Sequence, residues 1–190
     1  MGTPHTVTPH TVVLVEGDSD RIALTTLASR LGRDLADEGV AVVPMGGITN
    51  TRAFAQRYGP HGLGARLVGL YDAPDERILQ RGLAAAGFGR ALEPDGPEAL
   101  GFYKCIADLE DELIRAVGID VAEQVIEAQG EERSLRLLTG MPAQVGWTRT
   151  ALVRRFLGNS GRKARYAELL VEAMKPDQVP QPLAAVLARV

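Results

Sequence analysis

Apolar residues along this chain follow two alternating patterns, which are short continuous runs and longer stretches with helical spacing. The short runs are bounded by glycine or polar residues, which is typical of buried strands, and the first of them, residues 11–16, is rich in β-branched residues. The runs cover residues 11–16, 40–45, 66–72 and 101–106. The sequence therefore predicts strands at these positions.

The stretches between the runs have the spacing of amphipathic helices. One begins near Asp18 and repeats apolar residues as far as Leu35, one ends at Tyr58, and one covers residues 75–86. From Leu109 the pattern is helical nearly to the end of the chain. Strand and helix alternate up to residue 118, which predicts an α/β domain whose parallel sheet is covered by helices on both faces.

The same pattern suggests how the chain is organised. Residues 1–10 are polar and are expected to form a flexible tail, residues 11–118 the α/β core, and residues 119–190 a helical extension that completes the domain. The extension could pack on the sheet, form a homodimer surface, or do both.

Composition excludes several classes of protein. Hydrophobic residues make up 45% and charged residues 24% of the 190 residues, so a disordered chain is excluded. No apolar stretch approaches the length of a membrane span. A single cysteine, Cys105, rules out a disulfide within the chain, and the first ten residues lack the apolar segment of a signal peptide. We therefore expect a cytoplasmic protein that does not bind membranes.

Acidic residues follow the predicted strands. Glu16 and Asp72 end strands, Asp108 follows another, and Asp20 lies four residues after Glu16. Ligands bind beyond the carboxyl ends of parallel strands, so Glu16, Asp20 and Asp72 are expected to meet in one cleft if the first and third strands are near neighbours. Two such charges 4 Å apart repel by roughly 4 kcal/mol, and a divalent cation reverses that effect. Carboxylates are typical ligands of Mg²⁺ or Mn²⁺. Helix capping is the alternative role for such acids, and for Asp18 it is the favoured one.

These motifs, in this order, resemble the Toprim domain, and most closely that of the OLD-family nucleases. The residues that carry the resemblance are Val15–Asp20, Pro44–Gly47, Leu70–Asp72, Asp108–Glu110 and Ser160–Lys163. It covers about residues 11–175 and implies a Rossmann-like parallel sheet of about four strands. It also implies cleavage of DNA phosphodiester bonds with two metal ions, Mg²⁺ or Mn²⁺.

The resemblance also assigns roles to individual residues. Glu16, Asp20, Asp72 and Glu110 match positions that bind metal in OLD-type nucleases, and Glu16 is also expected to be catalytic. Lys163 matches a late lysine that stabilises the phosphate in the transition state.

Two departures from the family pattern bear on activity. The usual Asp-x-Asp motif is replaced by Asp72-Ala-Pro-Asp75-Glu76, so Asp75 or Glu76 would have to reach the metal from the following turn. Otherwise one metal site is weakened and the domain is a poor catalyst. OLD proteins also carry an ATPase, but this sequence contains no phosphate-binding loop motif. The domain is therefore expected to act alone or with a separate ATPase partner.

A basic segment follows in the C-terminal third. Between Arg133 and Arg165 there are eight Arg or Lys and no Asp or Glu, although the net charge of the chain is −3. A solvated helix face is the simple explanation, but beside a Toprim site phosphate contact is favoured. The residues expected to bind nucleic acid are Arg154, Arg155, Arg162 and Arg165. Trp147, the only tryptophan, is expected to be a packing anchor, with base stacking as the alternative.

Two other functions are compatible with the sequence. One is a Toprim module that binds nucleic acid or a partner ATPase with weak or no catalysis. The other is a response-regulator-like or flavodoxin-like domain, in which Asp72 would accept a phosphoryl group. The last explanation ranks lowest because it gives no role to Glu16-Gly17.

Overall fold

A parallel β-sheet forms the centre of the protein in this computed structural model, which describes residues 8–93 and 95–190. The strands are β1 (Thr11–Val15), β2 (Val40–Pro44), β3 (Arg66–Asp72) and β4 (Phe102–Cys105). They form a sheet of four strands in the order β2-β1-β3-β4 within the described residues. All three neighbouring pairs are parallel. The predicted α/β fold is confirmed.

Helices connect the strands and make up most of the C-terminal part. Those between strands are α1 (Asp18–Arg30), α2 (Thr51–Tyr58) and α3 (Glu76–Leu83). Those after the last strand are α4 (Leu109–Val117), α5 (Ile119–Ala128), α6 (Glu132–Thr139), α7 (Arg149–Leu157), α8 (Lys163–Ala173) and α9 (Gln181–Arg189). No helix among the described residues is both long enough and apolar enough to cross a bilayer.

Two apolar cores cover the two faces of the sheet. Successive strand residues point to opposite faces, so Val13 and Val15 of β1 belong to one core, and Val12 and Leu14 to the other. The first core is built with residues of α1, α4, α5, α7, α8 and α9, and the second with residues of α2 and α3. The C-terminal helices therefore pack on the sheet and close one of its faces.

The first helix is shorter than its apolar spacing predicts. α1 ends at Arg30, and Leu31 is 53% exposed. Gly32 has a φ angle of 75°, in the left-handed region that favours glycine and ends helices. Leu35 returns to the core after this turn and is buried.

The predicted N-terminal tail lies mainly outside the described residues, which begin at residue 8. His10 is attached to the sheet, since its backbone N–H donates to the Gly39 carbonyl at 3.0 Å. Its ring also lies 2.8 Å from the carbonyl oxygen of Glu38.

Candidate metal centre

Three acidic side chains converge at the carboxyl edge of the sheet. Glu16 follows β1, Asp72 ends β3, and these two strands are parallel neighbours, so their ends lie at the same edge. One carboxylate oxygen each from Glu16, Asp72 and Asp75 lie within 4.8 Å of one another. We call these three residues the acidic triad. Its oxygen-only donor set suits a hard divalent cation.

A short turn brings Asp75 into the triad. Residues Ala73–Asp75 form a 3₁₀ turn with Pro74 near its start, where proline needs no backbone partner. The turn folds the chain back after β3, so that the acid three positions after Asp72 reaches the cluster. Glu76, the other acid considered from the sequence, faces elsewhere and lies 3.5 Å from Lys104.

Asp20 lies beside the triad and is held by the backbone. It is on the first turn of α1, where its Oδ2 accepts a hydrogen bond from the Gly17 N–H at 3.0 Å. Burial raises the pKa of Asp20 to about 6, and repulsion by Glu110 and Glu16 adds to this effect. The hydrogen bond from Gly17 opposes the rise only in part. An acid of this kind is stabilised in its charged form by a nearby cation.

The pKa of Asp72 is also raised, and by more than the pKa of Asp20. Burial raises the pKa of Asp72 to about 8, and repulsion by Asp20, Glu16, Asp108 and Glu110 contributes. The pKa of Glu16 is raised as well, mainly by burial and by the charge of Asp75. The raised pKa values follow from crowding carboxyl groups in a partly buried cluster, and a bound cation would counteract this effect.

Glu110 and Lys163 lie on the other side of the same cavity. Glu110, on the first turn of α4, is only 5% exposed, and Lys163 begins α8. The Lys163 Nζ lies 3.5 Å from Glu110 Oε1. Burial raises the pKa of Glu110, and the charge of Lys163 opposes that rise. A cavity of about 260 Å³ is lined by Glu16, Asp20, Asp72, Glu110 and Lys163 among others.

Asp108 has a different role from the other strand-end acids. It caps α4, since its Oδ1 accepts a hydrogen bond from the Asp111 N–H at 2.8 Å. Its Oδ2 lies 2.6 Å from an Arg154 guanidinium nitrogen. This ion pair was not anticipated from the sequence. The position of Asp108 directly before an amphipathic run is typical of a helix cap but gives no indication of a partner 46 residues later.

The basic residues predicted to bind nucleic acid fall into two groups. Arg154 and Arg155 line a second, larger cavity of about 650 Å³, which also includes Glu110, Lys163 and Trp147. Arg162 and Arg165 lie elsewhere and pair with Glu131, at 2.6 Å and 3.3 Å. The structure therefore does not bring Arg162 and Arg165 to the acidic cluster.

Trp147 is not the buried packing anchor that the sequence predicts. It is 44% exposed and lines the larger cavity. The preceding Gly146 has a φ angle of 84°, and Thr148 caps α7 by accepting from the Ala151 N–H. The chain turns sharply between these residues and leaves the indole at the surface.

Comparisons with known proteins agree with this architecture. Residues 10–73 match the model of the overcoming lysogenization defect protein-like (OLD-like) TOPRIM domain. No curated protein matches the sequence.

Solved structures extend the likeness to almost the whole chain. The C-terminal region of the Burkholderia pseudomallei OLD protein is 25% identical with a TM-score of 0.71, over 95% of this chain and 96% of that one. The C-terminal region of the Xanthomonas campestris pv. campestris OLD protein, in a structure phased with mercury, is 26% identical with a TM-score of 0.68, over 95% and 93%. The chain is therefore similar to the OLD-like Toprim domain over residues 10–73 and shares the fold of the C-terminal regions of OLD proteins over almost its whole length.

Proposed function

We propose that this protein is a nuclease that hydrolyses DNA phosphodiester bonds with Mg²⁺ or Mn²⁺ at the acidic triad. The proposal includes a cytoplasmic location, DNA as the substrate, and a separate ATPase as a partner. A homodimer formed through the C-terminal helices is compatible with it. The observation that carries it is the convergence of the Glu16, Asp72 and Asp75 carboxylate oxygens within 4.8 Å.

The residues around the cavity divide into metal ligands and a phosphate-binding group. Glu16, Asp72 and Asp75 would hold one cation, while Asp20 and Glu110, which line the same edge, would supply ligands to a second. Bound divalent cations neutralise negative charge on the phosphate and activate water as the nucleophile. The backbone N–H of Gly17 holds the Asp20 carboxylate in place, so this ligand needs no reorganisation when a cation arrives.

Glu16 and Lys163 are the residues to which we assign catalytic roles. Glu16 lies in the triad and lines the cavity that Lys163 also lines. Burial lowers the pKa of the Lys163 ammonium, but the charge and hydrogen bond of Glu110, with the charges of Asp108 and Asp20, together outweigh burial and raise the pKa. The ammonium therefore stays protonated and supplies positive charge where a phosphate would gain negative charge.

The test is cleavage of supercoiled plasmid and of linear DNA with Mg²⁺, Mn²⁺ or EDTA. Glu16→Gln removes one ligand charge with little change in shape and should abolish metal-dependent cleavage. Lys163→Met should lower the cleavage rate by about 100-fold, the effect of losing one transition-state charge contact. The matched control is Glu172→Gln, which makes the same change at an exposed position on α8.

The control protein should cleave at the rate of the parent. Cleavage by Glu16→Gln at the parental rate would contradict the assignment, as would cleavage that is unaffected by EDTA.

A second candidate function is binding of nucleic acid or an ATPase without cleavage. It is favoured by one observation, that two basic side chains near the cluster are already paired with acids. Arg154 is paired with Asp108 and Lys163 with Glu110. If these ion pairs persist with DNA bound, neither basic side chain is available to bind the phosphate. Calorimetry that detects Mn²⁺ binding to a protein with no cleavage activity would contradict the first function, and binding of DNA by the same protein would support the second.

A further inference from the structure

A second cavity adjoins the candidate metal centre and has a different chemical character. Its volume is about 650 Å³, within the range that holds a small organic ligand. It shares Glu110 and Lys163 with the cavity that contains the acids. A group bound in it would therefore be an immediate neighbour of a phosphate at the metal centre.

The lining combines an aromatic surface with charged residues, and its two acids, Asp108 and Glu110, are paired with Arg154 and Lys163. Trp147 is 44% exposed, and Ala151 and Gly158 add small, non-charged surface. Arg155 is exposed and, among residues 8–93 and 95–190, forms no ion pair, unlike its neighbour Arg154. The indole would stack on a nucleobase, and the guanidinium of Arg155 in the same lining would bind the phosphate attached to it.

The position of Trp147 is fixed by the backbone on both sides. Its N–H donates to the Gln144 carbonyl at 3.0 Å, and the next residue, Thr148, caps α7. These contacts hold the backbone at Trp147, while its indole lines the cavity and remains partly exposed. Neither core contains Trp147, so packing does not account for its position.

We infer that this cavity binds one unpaired nucleotide next to the phosphate to be cleaved, with its base stacked on Trp147 and its phosphate on Arg155. A base inside a duplex offers side chains only its edges, since its faces are covered by neighbouring bases. Stacking therefore selects DNA with frayed, gapped or single-stranded nucleotides. This inference rests on the proposed function for the cleavage step but not for binding.

Binding can be measured without cleavage, because Trp147 is the only tryptophan and its fluorescence reports on this cavity alone. The probe is a single-stranded oligonucleotide of about 10 thymidines, a usual site size for such surfaces, added with Ca²⁺. Stacking should quench the fluorescence of the parent, whereas a blunt duplex of the same length should not. Arg155→Ala should weaken the quenching by about tenfold in Kd.

Anisotropy of a labelled oligonucleotide extends the test to variants without the tryptophan. Trp147→Ala should weaken binding of the single strand by about tenfold or more, within the range expected for one lost stacking contact. Trp147→Phe keeps an aromatic face and should restore most of the affinity. Leu63→Ala, at another exposed apolar residue, is the control and should bind like the parent.

The outcomes separate the two proposals. Quenching without cleavage by any metal would support the nucleotide cavity and contradict the nuclease. Metal-dependent cleavage without quenching, and with equal affinity for Trp147→Ala, would overturn the cavity and leave the nuclease intact. Absence of quenching together with loss of self-association in Trp147→Ala would show that this surface contacts another copy of the chain, which also overturns the inference.

Discussion

Replacing Asp72 with asparagine is expected to stabilise the metal-free protein and to remove its response to metal. The carboxylate ends β3 among other acids, and burial with their repulsion raises its pKa to about 8. Asparagine has nearly the same shape and no charge. The substitution therefore removes the repulsion while leaving the packing of the strand end unchanged.

The magnitude follows from the change in the pKa of Asp72 on folding. A rise of the pKa from 3.8 to about 8 sets an upper bound of about 6 kcal/mol on the loss of folding free energy that ionised Asp72 causes. Each tenfold change in proton affinity is worth about 1.4 kcal/mol. Asp72 is only partly buried, so solvent screening reduces this effect. We expect a gain on the order of 2 kcal/mol at pH 8, or about 4–8 °C in Tm for a chain of this size.

The sign of the pH dependence follows from the raised pKa of Asp72. The folded form binds this proton more tightly than the unfolded form, so the contribution to stability is complete below the unfolded value of 3.8. It is lost as the pH rises through about 8. The metal-free parent should therefore lose stability on going from about pH 6 to pH 9, and the advantage of Asp72→Asn should grow over the same interval.

The assay is thermal unfolding followed by circular dichroism, in EDTA and in Mn²⁺. Mn²⁺ should raise the Tm of the parent and have little effect on Asp72→Asn, because a ligand that binds only the folded state stabilises it. Asp37→Asn, at an exposed acid before β2, is the control and should behave like the parent. An Asp72→Asn protein less stable than the parent in EDTA at pH 8 would refute the reasoning, as would equal stabilisation of both by Mn²⁺.

Three further predictions concern the fold. Gly69→Ala should destabilise the protein by about 2–4 kcal/mol in urea unfolding, because the added Cβ would lie 2.3 Å from a Phe102 ring carbon in the middle of the sheet. Burial raises the pKa of Glu131, but hydrogen bonds from an arginine and a tyrosine outweigh it and hold the pKa below its usual value. The stability that Glu131 adds is therefore present above about pH 4.5 and lost as the pH falls further, and Glu131→Gln should flatten that part of the pH–stability curve. Burial raises the pKa of the Cys105 thiol, so a thiol reagent should label it only after unfolding, and rapid labelling of the native protein would contradict the buried position.

The strands could be predicted from the sequence because burial on both faces imposes a clear pattern. Short apolar runs located β1 to β4 to within about one residue at each end. The strand order could not be obtained in this way, since it depends on how helices pack after the strands have formed. The rule that ligands bind at the carboxyl ends of parallel strands brings Glu16 and Asp72 together only if β1 and β3 are neighbours, and the structure shows that they are.

The sequence did not indicate which basic residues of the C-terminal third face the acidic cavity. Arg162, Lys163 and Arg165 are close along the chain, yet only Lys163 lines the acidic cavity. On a helix, neighbouring residues point in directions about 100° apart, so a run of charges does not indicate which of them face a site. The other two are directed to Glu131 by the way α8 packs, which is a tertiary property.

The distribution of the site along the chain has a consequence for synthesis on the ribosome. Glu16 is made early, but Glu110 and Lys163, which line the same cavity, come far later. β1 also lacks its neighbour β3 until residue 72 has been made. Parallel pairing needs such distant segments and is slow compared with local contacts. A growing chain therefore holds no complete set of cavity residues until residue 163 has been made, and a translation product that stops earlier lacks the lysine to which we assign a role in cleavage.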